Sequence, residues 1–285
     1  MAKARFVHAA RGNTDSETRR MLLAQISDLH VRPEGHLYKG VVDSNRMLQD
    51  AINHLHGLDP RPDLVLVTGD LVDEGDPAEY AMLQTLLARC ALPYLLIPGN
   101  HDSRDALRDA FAAHSYLPSC GAPMHYVNDT HAVRIVALDT TVPGHHHGAI
   151  DDAGLAWLAD TLAQDHVRPT VIIMHHPPFA CGIPYLDEYM YRDAARLGEV
   201  VARFGNIERV LCGHVHRPIQ VRWAGTIVCT CPSTATQIAL QLRPDAPPAS
   251  YSEPPACLLH WWEPGSAMIT HTSYIGRFDG PYPFA

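Results

Sequence analysis

No stretch of the 285-residue sequence approaches the ~20 uncharged apolar residues that a membrane helix needs. No Cys-x-x-Cys pair occurs. The seven cysteines, Cys90, Cys120, Cys181, Cys212, Cys229, Cys231 and Cys257, are odd in number and scattered, so they outline no disulfide framework, and reduced thiols in a cytoplasm are expected. Residues 1–20 carry basic side chains but no apolar core of a secretory leader, and read as a flexible extension. There is no internal repeat. Basic charge is short, with a formal net charge of −9 and a pI near 6.1. An acidic surface repels polyphosphate backbones, so a long nucleic acid is a poor partner, while a small anionic substrate at a locally positive site is not excluded.

What the sequence has in excess is histidine, 19 in all, and their placement decides what the excess means. Apolar runs at 21–27, 63–70, 94–100, 131–140, 170–176 and 208–214 read as strands. Helical periodicity between them predicts helices at 44–58, 77–90, 103–114, 152–164 and 187–204. The alternation predicts an α/β fold with largely parallel strands. After about residue 215 the pattern changes to short antiparallel strands, a Pro-rich loop and the run "CLLHWW". The expected organisation is an extension over 1–20, a catalytic domain over 21–240 and a C-terminal strand and loop segment over 241–285, serving as cap or oligomerisation element. The tryptophans at 261 and 262 would either form a dimer contact or cover a sheet edge, and a homo-oligomer is expected.

The polar residues fall at the carboxyl ends of the strands: Asp28-Leu29-His30, Gly69-Asp70, Gly99-Asn100-His101-Asp102, His175-His176 and Gly213-His214-Val215-His216. Open α/β sheets bind ligands at that edge. In extended chain residues i and i+2 point the same way, so each Asp-x-His or His-x-His pair would face one site. Any one of these pieces could be an ordinary turn, but five in order, each after an apolar strand, make a metal centre. The donors are those of Mn, Fe, Co or Zn, with no thiolate, and they exceed what one tetrahedral ion uses. Two cations bridged by one carboxylate account for the number. Asn100 would offer a neutral oxygen to one ion. His101 is better placed to hydrogen-bond a substrate oxygen, and Asp102 would either orient His101 or cap the next helix.

These motifs resemble the calcineurin-like metallophosphoesterase superfamily, whose pattern D-x-H, G-D, G-N-H-[DE], H and G-H-x-H stands complete here. The resemblance implies a four-layer α/β/β/α sandwich with two mixed sheets, joined here by a small C-terminal β appendage. It implies that Asp28, His30 and His216 hold one divalent metal, that Asn100, His175 and His214 hold a second, and that Asp70 bridges. His101, with Asp102, would be catalytic and His101 would lie near the leaving group; Asn100, His101 and His176 would contact substrate, His176 less securely because it could equally sit behind its neighbour. More narrowly, "QISDLH", "VTGDLVDEG", "IPGNHD", "LDTTVPG" and "MHHPP" resemble the class III cyclic-nucleotide phosphodiesterase and glycerophosphodiesterase branch. Where purple acid phosphatases carry a tyrosine ligand, Asp73 stands here, so no tyrosinate-bound iron is implied.

The implied activity is hydrolysis of a small phosphodiester, a 3′,5′-cyclic nucleotide or a glycerophosphodiester, by a metal-activated hydroxide. Rival readings are a phosphomonoesterase, nuclease or nucleotide pyrophosphatase on the same site, and a non-catalytic scaffold. The run "PGHHHG" (143–148) reads as a solvated loop in preference to a metal or pocket element. Tyr185, Tyr189 and Tyr191 either wall the pocket or pack.

Overall fold

The computed structural model describes residues 20–118, 121 and 123–283; most of the extension expected over 1–20 lies outside them. The first half of the chain builds β1 (Met21–Ile26), α1 (Ser44–Gly57), β2 (Leu64–Thr68), α2 (Pro77–Leu87), β3 (Tyr94–Ile97) and α3 (Arg104–Ala110). β1, β2 and β3 are parallel neighbours. Their residues are almost all buried, which is why they read as unbroken apolar runs instead of alternating ones. Asp43 and Ser103 cap α1 and α3 with their side chains. Glu79 does the reciprocal job at α2, where it accepts from the Asp76 N–H.

The second sheet follows: β4 (Tyr126–Asn128), β5 (Arg134–Leu138), α4 (Asp152–Ala163), β6 (Thr170–Met174), α5 (Pro184–Asp187), α6 (Ala194–Val201), β7 (Ile207–Cys212), β8 (Ile219–Trp223) and β9 (Thr226–Thr230). Its spatial order is β4-β5-β6-β7-β9-β8, with β5, β6, β7 and β9 parallel and the edges antiparallel. The helix expected over 187–204 is shorter, running as α6 over Ala194–Val201, and the single turn α5 ends where the expected range begins. A hairpin, β10 (Gln237–Ile238) with β11 (Ser250–Tyr251), then leads to β12 (Ala256–Trp262) and β13 (Ile269–Tyr274).

Both sheets are mixed and pack face to face with helices outside, the α/β sandwich expected. Alternation along each strand produces the layers. Val171 and Ile173 of β6, with Ile135 and Ala137 of β5, join the same core as Leu23, Leu66 and Leu96. Their neighbours Ile172, Met174, Val136 and Leu138 pack with Leu155, Leu158, Leu197 and Val201 of α4 and α6. Each such side chain contributes about 1.5–3 kcal/mol on burial.

The C-terminal strands differ from expectation. They are no appendage: β12 pairs antiparallel with β1, from Met21↔Trp262 to Gln25↔Leu258, and β13 lines its outer side. Trp262 is buried and Trp261 partly so, so the run "CLLHWW" covers the edge of β1. A buried polar link joins the two sheets beneath the site. Gln25 donates to the Thr68 hydroxyl and to the Cys212 carbonyl, both at 2.9 Å, and its amide oxygen lies 3.2 Å from His260 Nε2.

Candidate metal centre

β1, β2, β3, β6 and β7 all end on one side of the sandwich, and each ending delivers polar side chains. The chain does not reach them in extended form. Asp28, His30, Asp70, His214 and His216 all have positive φ, between 44° and 72°. A non-glycine residue pays of order 1 kcal/mol for that conformation. Convergence therefore comes from strained turns beyond the strands, not from the i, i+2 alternation expected of extended chain. The turns are braced against each other: Leu29 and His30 both donate backbone N–H to the Asp70 carbonyl, at 2.8 and 3.0 Å. Two glycines permit the approach. A Cβ on Gly99 would strike the Asp70 backbone nitrogen and carboxylate, and one on Gly213 would strike Ser27 Oγ and Asp28.

Two clusters result, with Asp70 between them. In the first, His216 Nε2 lies 3.4 Å from Asp28 Oδ1 and 3.1 Å from His30 Nε2, and His30 Nε2 is 3.9 Å from Asp70 Oδ2. In the second, Asp70 Oδ1 is 3.3 Å from His175 Nε2, and Asn100 Oδ1 is 3.2 Å from that same nitrogen and 2.9 Å from His214 Nδ1. Each carboxylate oxygen of Asp70 thus faces a different cluster.

The far ring nitrogens fix what these atoms offer. His175 Nδ1 lies 2.8 Å from the Thr68 carbonyl and His216 Nδ1 lies 2.8 Å from the Thr236 carbonyl. Each Nδ1 must donate, so each Nε2 presents a lone pair whenever its ring is neutral. Burial, with help from neighbouring His216, pulls His30 down to about 4, and burial and His175 hold His214 well below its ordinary value. Both are neutral rings. With a neutral His175, its Nε2 and Asp70 Oδ1 are two acceptors 3.3 Å apart, so the contact calls for positive charge between them, a proton or a metal ion. The electrostatics agree. Burial alone would raise Asp70, yet His175 and His101 hold it well below the usual carboxylate range. Burial opposes charge on His175, yet the Asp70 carboxylate pushes it up to about 9. The centre demands positive charge, and the donor set, Asp, Asn and His with no thiolate, fits two divalent ions.

His101 and Asp102 divide their duties differently from expectation. The His101 ring is held by the Asp73 carbonyl, 2.6 Å from Nδ1, and its backbone N–H donates to Asp70 Oδ1. Its ring lines the cleft above the clusters. Asp102 neither orients that ring nor caps α3. Its carboxylate accepts from the Leu71 and Gly99 backbone N–H groups at 3.0 and 2.8 Å and from Tyr80 Oη at 2.9 Å. Asp102 latches the two loops that carry Asp70 and Asn100. His176 does not line the cleft either. It is fully buried, with Nε2 3.1 Å from the His146 carbonyl and Nδ1 2.8 Å from Thr140 Oγ1.

The loop read as solvated contributes more than expected. His146 is exposed, but its Nδ1 accepts from Asn100 Nδ2 at 3.1 Å, which turns the amide oxygen of Asn100 toward His175 and His214. Only the histidine run itself hinted at this. Tyr185 and Tyr189 line the cleft, whereas Tyr191 is buried against α4 and α6. The cleft has a volume of about 520 Å³.

A dinuclear acceptor site at the carboxyl edges of a two-sheet α/β sandwich defines a metallophosphoesterase. The chain matches the calcineurin-like phosphoesterase family over residues 21–218 and belongs to it. It is 34% identical to a probable glycerophosphodiester phosphodiesterase GpdQ of Arcobacter nitrofigilis, over 93% of this chain and 97% of that protein. It is 31% identical to the 3′,5′-cyclic adenosine monophosphate phosphodiesterase CpdA of Escherichia coli, over 76% and 78%. The fold is shared with a dimetal phosphatase from Danio rerio, with a TM-score of 0.61, 14% identity and coverage of 88% of this chain and 98% of that one.

Proposed function

We propose that the protein hydrolyses small phosphodiesters at this centre. The observation that carries the reading is Asp70, whose two oxygens face two separate clusters of metal-ligand type, Asp28, His30 and His216 on one side and Asn100, His175 and His214 on the other. Asp28, His30 and His216 would hold one divalent ion, Asn100, His175 and His214 the other, and Asp70 both. The bound ions would supply Lewis-acid stabilisation of the phosphoryl oxygens and a water of lowered pKa as nucleophile. The acceptor set supports Mn, Fe, Co or Zn equally.

This chain's residues do the positioning. Asp73 and Asp70 fix the ring and backbone of His101. The ring then stands at the cleft, where it would hydrogen-bond the departing oxygen or give it a proton. Asn100 is aimed by His146, and the Asp102 latch keeps the His101 loop against the Asp70 loop. The names of the relatives favour a diester over a monoester. They divide between glycerophosphodiester and cyclic nucleotide, and coverage does not choose, because relatives of both names align over more than nine-tenths of this chain. A homo-oligomer would use the exposed edge strand β13, which presents Ile269 and Tyr274.

The test is turnover by Mn-loaded protein of a bis-aryl phosphate against the matching aryl monophosphate, then of 3′,5′-cAMP against glycerophosphoethanolamine. Diester turnover well above monoester supports the proposal, and the second pair selects the substrate. Monoester preference, or no turnover of any of the four with two ions bound, overturns it.

A further inference from the structure

The sequence has 22 basic residues, of which only Lys3 and Lys39 are lysines. Lys3 lies outside the described residues, and Lys39 stands in the cleft. Its backbone has φ 51°, a conformation unusual for a long side chain. A closed turn enforces it: the Tyr38 and Val42 backbones exchange hydrogen bonds at 2.8 and 3.0 Å, and the Gly40 N–H donates to the Leu37 carbonyl at 3.2 Å. The residue beside it, Tyr38, is buried and stacks on the His30 ring, with centroids 4.5 Å apart and planes 16° from parallel. The Lys39 ammonium sits over the Tyr38 ring, 5.2 Å from its centroid. The turn is thereby pinned to a candidate ligand at one end and holds an exposed ammonium over the cleft at the other.

The rest of the lining gives that charge its meaning. Besides Asp70 at the floor, Lys39 is the only formally charged Lys, Arg, Asp or Glu among the residues that wall the cleft. The walls away from the clusters are Tyr185, Leu186, Tyr189, Ile238 and Ser250, all uncharged. The part of a diester that does not react must lie against these walls and beside the ammonium. A compact, hydrated point charge on a flexible stem attracts anions without imposing the fork geometry of an arginine. It also occupies the Tyr38 ring that would otherwise be open to a cationic head group.

We propose that Lys39 is a specificity-determining residue that reads the charge of the alcohol portion of the diester, favouring an alcohol that bears a carboxylate or other anion and disfavouring one that bears a quaternary ammonium. This rests on the phosphodiesterase reading and names the substrate class within it.

Three diesters with the same 4-nitrophenolate leaving group test it, their second alcohol being 4-hydroxybutyrate, butanol or choline. Wild-type protein should rank them in that order of kcat/KM. Lys39→Met should shrink the carboxylate-to-choline ratio by about fivefold, mainly through KM, and 0.5 M salt should shrink it in the wild type alone. Lys39→Arg should restore it. Arg222→Met, the same charge change on the exposed face of β8, should leave it unmoved. A ratio that Lys39→Met does not change, or that Arg222→Met changes equally, overturns the proposal. If wild-type protein turns over none of the three, the phosphodiesterase reading fails instead. Calorimetric binding of carboxylated and trimethylammonium phosphonates to the metal-loaded proteins then decides Lys39: an affinity difference that survives Lys39→Met unchanged overturns it.

Discussion

Asp28 accepts the backbone N–H of His214 through both carboxylate oxygens, at 3.0 and 3.2 Å. One side chain at the end of β1 is thus a candidate ligand and also the anchor of the loop that carries His214 and His216 from the other sheet. The two roles separate by substitution. Asp28→Asn keeps an oxygen for the N–H but loses the anionic donor. It should fold with a melting temperature near wild type and bind about one ion in place of two. Asp28→Ala orphans a buried N–H as well, which costs about 1–3 kcal/mol. Metal analysis beside thermal melting distinguishes them, and equal melting temperatures for Asn and Ala would contradict the anchoring role.

His101 and Asp70 share a hydrogen bond but should fail differently. His101→Ala removes a ring that belongs to neither Asp70 cluster, so two ions should remain while kcat falls by roughly 10²–10⁴. Asp70→Ala removes the residue both clusters face, so ions and turnover should vanish together. Metal content measured on the same samples as turnover checks this, and parallel metal loss in both variants would refute the separate roles.

Asp102 should behave as a structural latch. Asp102→Ala leaves the Leu71 and Gly99 N–H groups and the Tyr80 hydroxyl without their acceptor, and should cost about 2–4 kcal/mol in denaturant unfolding of ion-free protein. Tyr80→Phe removes one of the three contacts to Asp102 and also the acceptor of the Ser103 N–H, and should cost about 1–2 kcal/mol. A stable Asp102→Ala protein that is merely slow would show that the carboxylate acts in the chemistry instead.

His260 supplies a pH dependence away from the centre. Burial, with Arg209 nearby, pulls it down to about 3, so it stays neutral when folded and takes up a proton near its ordinary 6.5 when unfolded. Its share of stability is complete above pH 6.5 and is lost as pH falls from there toward 3, with a slope approaching about 1.4 kcal/mol per pH unit. His260→Gln should reduce the slope of unfolding stability between pH 6 and 4 without abolishing it, since burial also pulls His30 and His125 down to about 4. An unchanged slope would show that His260 is not the group responsible.

Gly213 is an all-or-none position. A Cβ there meets Ser27 Oγ, the Thr68 carbonyl and Asp28 at once, and two of those three are backbone or candidate ligand. Gly213→Ala should lose ion binding at the Asp28 cluster while far-ultraviolet circular dichroism stays close to wild type. Full ion content in that variant would mean the turn relaxes more easily than its packing suggests.

The candidate ligands were legible because each follows an apolar strand, and strand ends are what one-dimensional periodicity marks best. Asp28, His30, Asp70, Asn100, His175, His214 and His216 come together as their positions suggested. What periodicity misses is how a turn aims a side chain. The left-handed φ of Asp28 and His30, the Asp102 latch and the burial of His176 depend on loops packed against loops. His146 and Lys39 come from segments with no strand or helix period; the histidine run was the one local hint of the first, and nothing local marked the second. The C-terminal strands were visible as strands, but an antiparallel partner for β1 cannot be read from either strand alone.

The pairing of β1 with β12 also sets the order in which the chain can finish folding. Among the described residues β1 is the first strand synthesised and one of the last to acquire both neighbours, because Trp262 must arrive before Met21 is paired. Until then the emerging chain carries an open apolar edge in the middle of what will be the first sheet, adjacent to the residues of Asp28's turn. Such contacts, distant in sequence, slow folding and leave nascent protein prone to strand-to-strand aggregation. Chains truncated before residue 256 would keep that edge open permanently, so ribosome-bound or prematurely terminated forms should be the ones that demand chaperones.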